Sequence, residues 1–196
     1  MLGICSFVLA SLAAVAANPG FIVQEQLGFF PPGFLSHGSA QSDTTLDLRF
    51  ALRQNDIAGL EKSFLEISNP DSDRYGRHLS QQEVMAYVEP SADTVSKVTS
   101  WLSSHNLTAN NVSHAGDWIQ VSGIPAGKAN KMLNADFSLF THAGSGKQTI
   151  RTLAYSIPAE LQNHIDLVHP TVKYVQGMRR TIQFIDIFSA SPLSTF

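Results

Sequence analysis

The 196 residues hold a single cysteine, Cys5, and it lies inside an apolar N-terminal run. A chain trimmed behind that run has no thiol, which excludes a disulfide framework, a cysteine nucleophile and a cysteine-ligated metal. Charge is also scarce: Asp, Glu, Lys and Arg make up 15% of the residues, against about 25% in typical soluble domains. With 13 basic and 16 acidic side chains and a formal net charge of −3, there is no cationic footprint for nucleic acid or an anionic membrane. The longest apolar run stops short of the ~20 residues a spanning helix needs. The length suits about one domain with a sizeable core.

That apolar run, MLGICSFVLASLAAVAA at residues 1–17, ends in small residues. Ala14-Val15-Ala16 or Val15-Ala16-Ala17 fits a signal-peptidase site, placing cleavage beside Ala16 or Ala17, although the run lacks the Lys or Arg of a strong signal. A secreted, extracellular chain is expected, with no membrane partner once the signal is removed. Asn106-Leu107-Thr108 and Asn111-Val112-Ser113 match the N-glycosylation pattern, so Asn106 and Asn111 are glycan candidates.

Residues 18–43 carry a Pro-Pro-Gly break and no sustained period, and read as an extended arm lying on the domain surface. From Thr44 the pattern sharpens. Leu46, Leu48, Phe50 and Leu52 alternate with polar or small residues, the period of a strand with one buried face. Asn55 or Asp56 can cap a helix whose Ile57, Leu60, Phe64 and Leu65 form a stripe predicted to pack on that strand. Ser80-Gln81-Gln82-Glu83 is a capping box and starts a second helix, predicted to bury Val84, Met85 and Val88. Pro90 stops it, and Ser91 opens a third through about His105, with Val95, Val98, Trp101 and Leu102 inward.

Strands are expected at Asn111–Ser113 and Trp118–Val121, then a helix from Pro125 to about Leu133. Phe137 to Thr141 and Thr149 to Ala154 read as further strands around a glycine-rich turn, and Ser156–His164 as a short helix or turn before an apolar segment, Ile165–Val172. This order contains a split βαβ unit. It predicts an α+β, ferredoxin-like antiparallel sheet with helices on one face, formed by the 44–52, 108–121 and 137–154 strands, its other face left bare.

No assembled active site is visible. Gly144-Ser145-Gly146-Lys147 lacks the outer glycine and the Ser or Thr of a phosphate loop, and reads as a hairpin turn. The seven histidines show no H-E-x-x-H spacing, and no G-x-S-x-G frames a serine nucleophile. Asp71 and Asp73 beside Asn69-Pro70 have the look of turn formers. No catalytic residue, cofactor or metal site is expected in this chain.

The residues do resemble a family. Asn69-Pro70-Asp71-Ser72, Tyr75-Gly76-Arg77-His78-Leu79-Ser80 with Glu83, Asp117-Trp118, Leu133-Asn134-Ala135-Asp136-Phe137, Arg151 to Pro158 and His164 to Thr171 are similar to the activation propeptide of sedolisin-type serine-carboxyl peptidases, especially fungal tripeptidyl-peptidases. The likeness runs from about residue 23 to 179. It implies a prosegment of the subtilisin and sedolisin type, whose bare sheet face docks on a peptidase catalytic domain, helps it fold and holds it inactive until acidification. It also implies that the Glu-Asp-Ser triad and the calcium site belong to a peptidase domain that these residues do not contain.

Further expectations follow from that reading. The activation domain is placed at 44–175 and a divergent tail at 176–196, since Thr181–Phe196 does not resemble the start of a peptidase. Arg179-Arg180 is a processing candidate. Tyr75 is expected to anchor the turn by burial while Gly76 supplies a positive φ. Histidines, His78 foremost, would carry the acid switch, because protonating all seven takes the net charge past zero. A stand-alone secreted inhibitor or binding module of the same fold, and a fragment of a longer precursor, are the competing readings.

Overall fold

The computed structural model describes residues 20–174. The strands are β1 (Phe21–Gln26), β2 (Phe34–Ser39), β3 (Thr45–Leu52), β4 (Asn110–Asn111), β5 (Trp118–Pro125), β6 (Ser138–His142), β7 (Gln148–Arg151), β8 (Ala154–Pro158) and β9 (Ile165–His169). The helices are α1 (Ile57–Ser68), α2 (Gln81–Val88), α3 (Ala92–Ser104) and α4 (Ala126–Met132).

The central sheet has the order β4-β5-β3-β9, every neighbouring pair antiparallel. β3 and β4 therefore run parallel with β5 between them, which is the split βαβ of a ferredoxin-like fold. The predicted fold class holds, with one change of membership. The 137–154 strands are not in this sheet. β6 and β7 form a second sheet with the arm strand β2, in the order β2-β6-β7, and β8 pairs with β1. The apolar segment after residue 164 supplies the fourth strand instead, β9 pairing with β3.

Alternation along β3 does what its sequence predicts. Leu48, Phe50 and Leu52 are essentially inaccessible, while Thr45, Asp47 and Arg49 are exposed. Their inward side chains meet Val98, Trp101 and Leu102 of α3 and Ala129, Met132 and Leu133 of α4, together with Ile119, Val121, Ile165 and Val168 of the sheet. Phe50 meets Trp101 edge-on at 5.8 Å between ring centroids. Each large apolar side chain buried this way contributes about 1.5–3 kcal/mol.

The first two helices fit less well. α1 forms where predicted, capped by Asp56 Oδ1 accepting the Gly59 N–H at 2.9 Å, but Ile57, Phe64 and Leu65 are exposed, the last two at 60%. Its buried residues are Ser63 and Ile67. The core against the sheet is filled by α3 and α4, while α1 packs on α2, joined by Ser63 Oγ and Tyr87 Oη at 3.1 Å. α2 has its capping box, with Ser80 and Glu83 bonded reciprocally, yet Val84, Met85 and Val88 are only half-buried. α3 runs as predicted and buries Thr94, Val98, Trp101 and Leu102.

Residues 154–158, predicted to lead into a helix or turn, are strand β8, and only Ala159–Leu161 form a single 3-10 turn. Tyr155 at its centre is fully buried. Its hydroxyl donates to Glu25 Oε2 at 2.8 Å and accepts the Val168 N–H at 2.9 Å, joining β1, β8 and β9 at one oxygen. Burial, first of all, pushes the Tyr155 phenol far above its ordinary pKa.

Candidate docking face

The side of the central sheet turned away from α3 and α4 is built by register. Gln120, Arg49 and His169 lie directly across from one another on β5, β3 and β9, and Asn110 of β4 extends that row. Trp118, Ala51 and Leu167 make the next row on the same face. One row is polar and cationic, and the other apolar.

Within the polar row Arg49 Nε donates to Gln120 Oε1 at 3.1 Å, and Gln120 Nε2 to Ser122 Oγ at 3.1 Å. The arginine is thereby laid along the sheet surface. A bulge at Ser122-Gly123 lets β5 pass Asp47: Gly123 sits at φ +71° and its N–H donates to Asp47 Oδ1 at 2.9 Å.

The β9 end of the row is strongly basic. Burial, and then the charges of Arg151, Lys173 and Arg49, hold His169 below the usual histidine pKa, with Glu25 opposing. Burial likewise lowers Arg151, which is anchored through Nε to the Lys173 carbonyl at 2.9 Å and through Nη1 to the Ile150 carbonyl at 2.7 Å. In the sequence His169 stands out only as part of the family-like run His164 to Thr171; of the cations around it, Lys173 is four residues on, while Arg151 and Arg49 come from distant parts of the chain.

The residues of the family-like turn lie elsewhere. Gly76 is at φ +70°, as its role in a turn predicts, and its N–H donates to the Ile67 carbonyl at 3.0 Å, folding the loop back onto the end of α1. Tyr75 is 57% exposed, so the expected anchoring by burial is not what the structure shows: the backbone bonds of the turn hold it. His78 is exposed and Leu79 half-buried in the same loop, which leads into the Ser80–Glu83 box. The Ser80 N–H and hydroxyl hold the Glu83 carboxyl below its ordinary pKa. The motif thus organises the α1–α2 corner in the helical layer.

Asn106 is exposed at φ 53°, just past the end of α3, where the Leu107 N–H reaches back to the Leu102 carbonyl at 3.1 Å. Asn111 is exposed on β4, but its Oδ1 accepts the Ser113 N–H at 3.1 Å, and Ser113 Oγ is bonded to Asp117 at 2.6 Å. The signal-cleavage candidates Ala16 and Ala17 and the processing candidates Arg179 and Arg180 lie outside the described residues. Among the described residues no group of three or more His, Asp, Glu or Cys could hold a metal ion. None of the helices there is long and apolar enough to cross a membrane.

In comparison with known proteins, the family model for the pro-kumamolisin activation domain matches residues 32–174. The chain belongs to this family. Among its relatives, the probable tripeptidyl-peptidase SED4 of Trichophyton verrucosum is 32% identical over 174 residues, covering 89% of this chain and 29% of the relative. Tripeptidyl-peptidase sed1 of Aspergillus fumigatus is 32% identical over 178 residues, covering 87% and 28%. The chain thus spans less than a third of the length of these relatives. What is matched is their activation domain, and the catalytic domain of such peptidases is absent from these 196 residues.

Proposed function

We propose that this activation domain folds against, and blocks, a sedolisin-type peptidase catalytic domain in a secreted precursor. The observation that carries the reading is the face turned away from α3 and α4, where the half-buried Trp118 and Leu167 flank a buried Ala51 in an apolar row and Gln120-Arg49-His169, with Arg49 exposed, makes a polar one. An apolar row buried by a partner supplies affinity, and the charged row supplies register and selectivity. The same face serves a domain linked to its peptidase and one acting on it in trans. The N-terminal run serves as a secretion signal in this reading, and Asn106, at the helical end, accepts a glycan without obstructing the face.

Acid release follows from the basic end of the row. His169 is kept neutral at pH 7 by burial and by Arg151, Lys173 and Arg49. Protonating it adds a positive charge among three others and disfavours the compact arrangement. His78 lies in a loop of the helical layer, so His169 is the better placed of the two to couple pH to docking.

The full chain mixed with the mature form of a fungal tripeptidyl-peptidase tests the reading. The expected result is loss of tripeptide release at neutral pH, recovered on acidification. Undiminished activity at every pH, with no complex on size exclusion, overturns it.

A further inference from the structure

Two strand edges meet a common groove beside the open face. β9 pairs with β3 only over Arg49–Leu52 and ends at His169, because Pro170 has no N–H to continue the ladder. The Thr45–Leu48 half of β3 therefore has a strand on one side only, β5. β7 is the outer strand of its own sheet and pairs only with β6. Between them lies a groove of about 440 Å³ lined by Thr45, Asp47, Leu139, Gln148, Ile150 and Arg151.

The phase of each ladder says which main-chain groups face this groove. The His142 N–H donates to the Lys147 carbonyl, so along β7 Thr149 and Arg151 are bonded toward β6, and Gln148 and Ile150 point away from it. The Leu52 N–H donates to the Asp117 carbonyl and the Ala126 N–H to the Thr44 carbonyl. Along β3, then, Leu46 and Leu48 are bonded toward β5, while Thr45 and Asp47 present their backbone to the groove. Gln148-Thr149-Ile150 carries no lysine, proline or bulge to blunt the edge, although the outward Ile150 carbonyl already accepts from Arg151 Nη1 at 2.7 Å.

We propose that the groove receives an extended segment of the peptidase domain as an added strand, bridging β3 and β7 and joining the four-stranded and three-stranded sheets into one. This rests on the docking proposed above. It fits a recognition mode in which main-chain hydrogen bonds supply affinity and flanking pockets supply selectivity. Leu139 and Ile150 form an apolar floor, and Arg151 marks one end, with Lys173, His169 and Arg49 near it. Arg151 commits two of its N–H donors to the Lys173 and Ile150 carbonyls and keeps others of its five for an acceptor. The inserted segment therefore carries a carboxylate where it passes Arg151, and the groove is continuous with the docking face through Asp47 and Arg49.

The test is amide hydrogen exchange on the full chain, free and saturated with the mature enzyme of a fungal tripeptidyl-peptidase at neutral pH, together with the variant Gln148→Pro. Gln148 is exposed on an edge strand, and its N–H is not used by β6, so proline there removes only the outward donor. The expected result is slowing of exchange by about tenfold or more at Thr45, Asp47, Gln148 and Ile150 on binding. Gln148→Pro should weaken inhibition about three- to tenfold, consistent with losing one main-chain bond, with an unchanged melting temperature. A complex that forms while these four amides exchange as in the free chain overturns the groove and leaves the open-face docking standing. Slow exchange already present in the free chain overturns it too, because the groove is then filled in cis. Failure to form any complex overturns both readings.

Discussion

Phe50 and Arg49 are neighbours in sequence and opposites in circumstance. One is sealed between α3 and the sheet, and the other is exposed on the opposite face. The same contrast separates α3 from α1, two helices of 13 and 12 residues with comparable apolar stripes. α3 buries Val98, Trp101 and Leu102, and α1 leaves Ile57, Phe64 and Leu65 in solvent. Stability in this domain is concentrated in one layer interface. The residues outside it are free to serve something other than folding.

Substitution on either side of that boundary should break the two groups apart. Phe50→Ala should cost about 3–5 kcal/mol of unfolding free energy, read by chemical denaturation, because it opens a cavity against Trp101. Leu102→Ala should cost about 2–5 kcal/mol, and Leu65→Ala less than about 0.5 kcal/mol. Equal losses in these two leucine variants would mean that α1 packs more tightly than described. Arg49→Glu should change stability by no more than about 0.5 kcal/mol and yet weaken inhibition of a tripeptidyl-peptidase by tenfold or more, since the charge row is inverted. Matching effects on stability and inhibition would erase the distinction between the faces.

The smallest expected effect concerns pH. His169 has a folded-state pKa below its unfolded value of 6.5, so the unfolded chain binds the proton more readily. Its contribution therefore destabilises the fold progressively as pH falls below about 6.5, and is constant once the pH is below the folded pKa. His169→Gln should flatten the slope of melting temperature against pH between 6.5 and 5. An unaltered slope would place the acid sensitivity in other groups.

Much of the core layer was legible because its signals are local. The alternation of β3, the serine caps at Ser80 and Ser91, and Pro125 at the start of α4 each follow from residues within a few positions of one another. β8 was hidden for a physical reason. Ala154 to Ile157 are all buried, so they show no alternation, and the strand they pair with, β1, lies far back in the arm. The stripe on α1 is apolar, but its predicted packing on β3 does not occur, because periodicity cannot reveal that α3 and α4 supply the core there. The bare face could be anticipated as the side left over after placing the helices. Its composition could not, since Gln120, Arg49, His169 and Arg151 converge from four separate segments.

The shared oxygen of Tyr155 makes the arm and the last strand mechanically interdependent. Trimming the chain's first strand by an exopeptidase or a nick would strip away Glu25 and leave an enclosed phenol without its acceptor, the costly half of a broken hydrogen bond. The penalty would be felt at Val168, on the strand that carries His169. Damage at one extremity would thus slacken the rim of the recognition surface without touching any residue on it.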